Sequence, residues 1–255
     1  MTTLKGRGEH ALVLRVGTFR EIDCWVRFFS PLRGIETAFA FGGRRSRRRF
    51  AGCLDTLNHL RVDMDSPRSG RYLSLGQSTL VHRFPDLHNS QNRMGMAVNC
   101  IKFLEAAHLG ADHAQPVFDL MLTTMQVLND ADHVPATFPL LFRAKLACFY
   151  GYGPDLTVCG LCGRSLSGVC TASFSWGGGY AVCPRCRAQS RFLNNSGMMD
   201  HIDVNRLHNL LQETPQEWLD SGRPLSGDNR LWQVLDFFVQ YHTGLHWEAG
   251  RFRRM

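Results

Sequence analysis

A chain of 255 residues can bury one or two cores of ordinary size, and 29 basic against 22 acidic side chains leave it at +7. Only three of those 29 are lysines. Arginine forks bond phosphate oxygens in pairs, so this excess suits an anionic polymer better than solubility alone would require. No apolar run approaches the length of a membrane span, so the expectation is a soluble, cytoplasmic protein without a membrane partner.

Residues 1–8 contain no apolar segment of the kind a secretory leader needs. From His10 to about Phe84, short apolar alternations broken by turn residues predict five strands, at 11–14, 22–29, 35–41, 51–62 and 72–81. Turn signals lie at 30–34 and 65–70, and 84–88 reads as a linker. The period then becomes helical. Met94, Ala97, Val98, Ile101 and Leu104 share one face, as do Val117, Leu120, Met121, Thr124 and Leu128. A third helix is expected over 138–149, stopped by Gly151, Gly153 and Pro154. Residues 204–211 and 231–242 are helical again. The fold class is therefore α+β and multidomain. A five-stranded OB-type barrel is expected over 1–84 and the first part of a helical domain over 88–154. A four-cysteine module follows over 155–190, and C-terminal helices over 191–255 complete the helical domain.

Four of the nine cysteines form two clips, Cys159-Gly-Leu-Cys162 and Cys183-Pro-Arg-Cys186, with twenty residues between them. Each clip can aim two thiolates at one ion, and Gly177-Gly178-Gly179 between them can turn back as a hairpin, so the spacing predicts a structural zinc ribbon. The odd cysteine count argues against a disulfide framework. A thioredoxin-like pair at Cys183 and Cys186 would need a βαβ setting that 174–182 does not offer. His246-Trp247-Glu248 has the H-x-E form of a nucleobase deaminase, but it follows the cysteines, and no proline precedes Cys183. Four thiolates close the coordination sphere and leave no place for an activated water. Cys24, Cys53, Cys100, Cys148 and Cys170 read as core fillers.

Gly42-Gly43-Arg44-Arg45-Ser46-Arg47-Arg48-Arg49-Phe50 packs five arginines into six positions between the third and fourth predicted strands. Like charges at this density repel unless a polyanion neutralises them, and the paired glycines permit close backbone approach. The run also fits a nuclear-import signal or an unpartnered surface loop. Its place in a small barrel favours nucleic acid, because OB-folds pair a basic track with aromatic stacking platforms. Trp25, Phe28, Phe29, Phe39 and Phe41 are the candidate aromatics, of which alternation should bury about half. Arg251, Arg253 and Arg254 form a smaller group that suits either further phosphate contacts or a frayed tail. The histidines show no metal-ligand spacing. No phosphate-binding G-x-x-x-x-G-K-[ST] loop occurs, nor a catalytic triad or carboxylate pair that spacing can identify, so a binding protein is expected and not an enzyme.

Laid in order, several patches resemble the RecO family of bacterial recombination mediators. They are Val13-Leu14-Arg15, Glu21-Ile22-Asp23, Phe29-Ser30 with Gly34, Gly43-Arg44-Arg45, and Arg49-Phe50-Ala51-Gly52. The cysteine clips and Tyr241-His242-Thr243-Gly244 continue the series. The resemblance implies an OB-fold, a helical domain and a zinc module. It also implies binding of single- and double-stranded DNA, annealing of complementary strands, and action at the nucleoid with RecR and single-stranded DNA-binding protein to load RecA. A groove in the helical domain would take the acidic tail of single-stranded DNA-binding protein. The family's basic barrel surface carries over to Arg44 and Arg45, and by continuity to Arg47, Arg48 and Arg49. Arg33 stands where members usually have an acidic residue and adds one more candidate cation. The alternative is a zinc-ribbon adaptor that docks proteins and has no primary DNA role.

Overall fold

The computed structural model describes residues 6–65, 72–107, 113–167, 169, 171–189, 196–220 and 229–255. Cys170 and most of the turn expected at 65–70 lie outside these residues. The N-terminal alternation forms β1 (Gly6–Thr18), β2 (Cys24–Ser30), β3 (Gly34–Ala40), β4 (His59–Asp65) and β5 (Leu73–His82). They close into a barrel in the order β1-β2-β3-β5-β4, the parallel β3–β5 pair and the antiparallel β1–β4 pair completing the ring. Inward residues such as Ala11, Val13, Val26, Phe28, Ala38, Leu60 and Val62 fill it.

Two expectations change here. The fourth strand begins at His59, because 51–58 is a structured turn. In it Leu57 adopts φ 71°, and Asn58 Nδ2 donates to the carbonyls of Gly52 and Cys53 at 3.1 and 2.9 Å. The linker at 84–88 is largely a short helix, α1 (Pro85–Asn89), opened by its proline.

Charge is also placed inside the barrel wall. Glu9, 5 % exposed, accepts the Ser30 hydroxyl at 2.6 Å and pairs with Arg33 Nε at 3.0 Å. A buried carboxylate requires such partners. Arg33 is therefore engaged within the barrel and is not a spare cation for a ligand.

Packing divides the chain into two units, Met1–Met94 with His108–Asp130, and Gly95–Ala107 with Ala131–Met255. In the first, α3 (Ala114–Asp130) lies on the outside of the barrel, where Phe118 meets Phe29 at 5.7 Å and His59 at 5.8 Å between ring centres. That contact buries Phe29, although strand alternation aims it outward. Asn129 of α3 accepts the Asp86 amide at 2.9 Å and so fixes α1.

The second unit contains the later part of α2 (Gln91–Ala107) and is built around α4 (Phe138–Ala147), which is apolar on nearly every side and packs on α8 (Asn229–Thr243). The helix expected over 138–149 stops at Ala147. A π-helical turn, Cys148–Tyr152, follows, with Gly151 at φ 86°. Lys145 Nζ caps α6 (His201–Gln212) by donating to the carbonyls of Leu211 and Gln212 at 2.6 and 2.8 Å. Thr214 and Glu217 form a capping box at α7 (Pro215–Asp220), which holds the Glu217 carboxyl below the usual range through its hydrogen bonds to Thr214. The chain closes as a hairpin, β10 (Leu245–Glu248) with β11 (Arg251–Arg254), so its final arginines do not fray. Among the described residues no helix is long and apolar enough to cross a membrane.

His59 supplies a pH test of the barrel. Burial, with His10 and His82 alongside, pushes its imidazole down from 6.5 to about 4. The unfolded chain therefore takes up this proton first, and the stability contribution is complete above pH 6.5 and lost as pH falls towards about 4. Thermal melts of His59→Gln should show a shallower loss over that interval than the unsubstituted protein. Equal slopes would mean that another group titrates.

Candidate metal centre and nucleic-acid interface

The cysteine module lies within the second unit as a four-stranded sheet of β6 (Asp155–Cys159), β7 (Thr171–Ser175), β8 (Tyr180–Val182) and β9 (Ser196–Asp200), in the order β6-β8-β7-β9. Strand β6 delivers Cys159 into a turn where the Gly163 amide donates to the Cys159 carbonyl at 2.8 Å, Gly163 being at φ 69°. The β7–β8 hairpin delivers Cys183, and Cys186 follows in α5 (Pro184–Gln189). Tyr180 fills the space beside Gly160 and Gly178, where a Cβ would come within 2.5 and 2.3 Å of its ring.

The four sulfurs lie within 4.8 Å of one another. Cys162 Sγ and Cys183 Sγ are 3.9 Å apart. A tetrahedral thiolate site with metal–sulfur bonds of about 2.3 Å sets its sulfurs about 3.8 Å apart, whereas a disulfide is about 2.05 Å long. The geometry therefore fits four ligands on one ion, and among the described residues it is the one cluster of this kind. At Cys159 burial opposes ionisation, but backbone N–H groups of Cys183, Leu161 and Cys162 outweigh it and hold the thiol at about 6. One thiolate is thus prepared by the main chain. Of the other cysteines, Cys24, Cys53 and Cys100 are buried and Cys148 is partly so.

The arginine loop leaves the barrel between β3 and β4. Arg44, Arg45, Arg47, Arg48 and Arg49 are all exposed, while Phe50 is buried and anchors the loop's exit. Its entrance is held by the buried Asp23 carboxylate, which accepts the Gly42 amide at 2.7 Å. Gly42 is at φ 70°, and a Cβ on Gly43 would meet Cys24 Sγ at 2.9 Å. The arginines are not equivalent. Arg44 Nη1 donates to the Glu21 carbonyl at 3.3 Å, and Arg49 Nη2 to the Phe41 carbonyl at 2.5 Å. Arg45, Arg47 and Arg48 make no side-chain bond among the described residues and are the free cations of the loop.

Beside the loop lies an aromatic cluster that sequence reading found only in part. Phe28 and Phe29 are buried, and half-buried Trp25 lies over Gly17. Phe39 is surrounded by Phe19 at 4.7 Å, Tyr72 at 5.4 Å and Phe41 at 6.3 Å between ring centres. Phe19, Phe41 and Tyr72 are 46, 47 and 60 % exposed. Phe19 and Tyr72 are far apart in sequence, and only barrel closure joins them. A flat-ringed surface next to unpaired guanidinium groups can stack bases and neutralise phosphates.

This strand order defines an OB-fold barrel, here joined in one chain to a helical unit carrying a four-cysteine metal-type site. The chain belongs to the recombination protein O family. The model of that family's N-terminal part matches residues 7–84, and the model of its C-terminal part matches 88–248. Over 252 residues the chain is 42 % identical to the DNA repair protein RecO of Oleidesulfovibrio alaskensis, an alignment covering 97 % of this chain and 98 % of the relative. The RecO proteins of Nitratidesulfovibrio vulgaris and Maridesulfovibrio salexigens are 40 and 36 % identical at the same coverage.

Cys159→Ser should lower bound metal well below one equivalent per chain by elemental analysis and open the module to protease, while the barrel keeps its own unfolding transition. A variant with a full equivalent of metal would contradict the four-ligand assignment.

Proposed function

We propose that this chain is a DNA-binding recombination mediator without a catalytic step. It binds single- and double-stranded DNA through the barrel, anneals complementary strands, and acts at the nucleoid with RecR and single-stranded DNA-binding protein to load RecA. The observation that carries the reading is the exposed loop of Arg45, Arg47 and Arg48, with Arg44 and Arg49 latched to main-chain carbonyls beside it. Membership of the recombination protein O family supports the same reading.

Annealing needs no nucleotide hydrolysis on this account. Two strands repel through their phosphates, and a loop of guanidinium groups lowers that repulsion when both are held near one protein. The rings of Phe41, Phe19 and Tyr72 would hold bases of one strand unstacked from their neighbours. Zinc is the ion proposed for Cys159, Cys162, Cys183 and Cys186, since four thiolates in a tetrahedron suit it. When bound it would fix the two clips together and so hold the β7–β8 hairpin in place. The helical unit would receive the acidic tail of single-stranded DNA-binding protein.

A specific observation also favours the adaptor reading. Phe237 and Tyr241 are 49 and 53 % exposed on α8, and Trp176 of the β7–β8 hairpin stacks on Phe237 at 5.2 Å. Such an aromatic surface suits a protein partner.

Charge reversal of Arg45, Arg47 and Arg48 to Glu separates the two readings. The mediator reading expects single-strand affinity to fall at least ten-fold and the slope of log affinity against log salt to flatten by about two units, about 0.7 for each of three phosphate contacts. Unchanged affinity and slope would leave the adaptor reading standing.

A further inference from the structure

The C-terminal hairpin presents a second basic and aromatic surface, on the second unit of the chain. Ala249 and Gly250, at φ 46° and 80°, give it a tight two-residue turn. It is docked firmly: Phe252 is buried and packs on Phe103 at 5.0 Å, with the Arg143 guanidinium 5.5 Å from the Phe252 ring. Trp247, the register partner of Phe252, packs on that ring at 4.8 Å and remains 44 % exposed. Lys102 Nζ donates to the Gly250 carbonyl at 2.8 Å and lies 5.7 Å from the centre of the Trp247 ring.

Across the hairpin as a whole the charges are unbalanced. Glu248 is the hairpin's one carboxylate side chain and is already engaged by Arg253 at 3.0 Å, with His246 at 3.9 Å. Arg251 and Arg254 are exposed and make no ion pair among the described residues. In the hairpin register Arg254 shares the face of Trp247 and Phe252, whereas Arg251 stands across from Glu248 on the other face. A half-exposed indole held on a rigid base, with Lys102 at its ring and Arg254 on its face of the ribbon, has the composition of a stacking platform with phosphate contacts.

We infer that the β10–β11 hairpin is a second single-stranded nucleic-acid site, in which Trp247 stacks a base while Arg254 and Lys102 contact the neighbouring phosphates. An acidic peptide would satisfy the cations but leaves the exposed indole face unused, whereas a base covers it by stacking. This hairpin offers a single ring on a two-stranded ribbon. The inference rests on the reading that the barrel loop binds DNA, and it adds to annealing a separate hold on the second strand.

The test uses the full chain, labelled thymidine oligonucleotides for the binding titration, and a complementary pair of mixed-sequence oligonucleotides for annealing. Two hairpin variants are made, Arg254→Glu, which leaves the packed Trp247 in place, and Trp247→Ala. They are compared with the charge-reversed loop. The expected result is that both hairpin variants bind the first oligonucleotide within about two-fold of the unsubstituted protein, but lose the second equivalent in titration and anneal at least ten-fold more slowly. Unchanged stoichiometry and annealing in the hairpin variants, with the loop variant defective, overturns the second site alone. If the loop variant is also unimpaired, the DNA reading beneath it fails. Loss of binding to an acidic peptide, with both DNA measurements intact, would assign the hairpin to a protein partner and overturn the inference.

Discussion

The hydrogen bond from the Gly42 amide to the buried Asp23 carboxylate holds the base of the arginine loop, and no arginine takes part in it. Five positive groups in six positions repel one another, and no core contact made by them could offset that repulsion. The loop stays ordered because the main chain carries it. Gly42 turns left-handed, Gly43 leaves room for Cys24, and the Arg49 carbonyl accepts the Ser78 amide at 2.9 Å on β5. With both ends fixed to the barrel, Arg45, Arg47 and Arg48 are presented in a narrow range of positions, which reduces the entropy lost when a phosphate backbone arrives.

The second unit solves a different problem. Its helices bury an apolar core in the usual way, but the β6–β9 sheet presents few large apolar residues of its own, and two of its turns approach Tyr180 so closely that only glycine fits at 160 and 178. An ion joining Cys159 and Cys162 to Cys183 and Cys186 would give such a module much of its rigidity. The module gains the rest by packing β6, β7 and β9 on α6 and β9 on α8. The Trp176 ring at the tip of the β7–β8 hairpin stacks on Phe237, so the cysteine cluster and the aromatic surface belong to one module.

Local spacing made the four-cysteine cluster and the exposed arginine loop readable from sequence, because each lies within a few residues of a turn or clip. Features resting on tertiary contact were not readable. Phe29 alternates outward and is buried only because α3 brings Phe118 to it. Arg33 reads as a surface cation until β1 places Glu9 beside it. The turn before β4 looks like strand because its apolar residues alternate, and what overrides that pattern is Asn58 bonding back to Gly52 and Cys53. Phe19 and Tyr72 joined the candidate interface only through barrel closure. The Thr214-Pro-Gln-Glu217 capping box, by contrast, was a legible signal for α7 that sequence reading passed over.

The central claim is that exposed guanidinium groups on the barrel bring two strands together. Its most direct measurement is the annealing rate of complementary oligonucleotides coated with their cognate single-stranded DNA-binding protein, with no nucleotide added and the intact chain titrated in. Acceleration above the spontaneous rate, suppressed by added salt as phosphate contacts require, is the result this account predicts. An annealing rate that does not respond to the protein at any salt concentration, with bare strands also unbound, would contradict it.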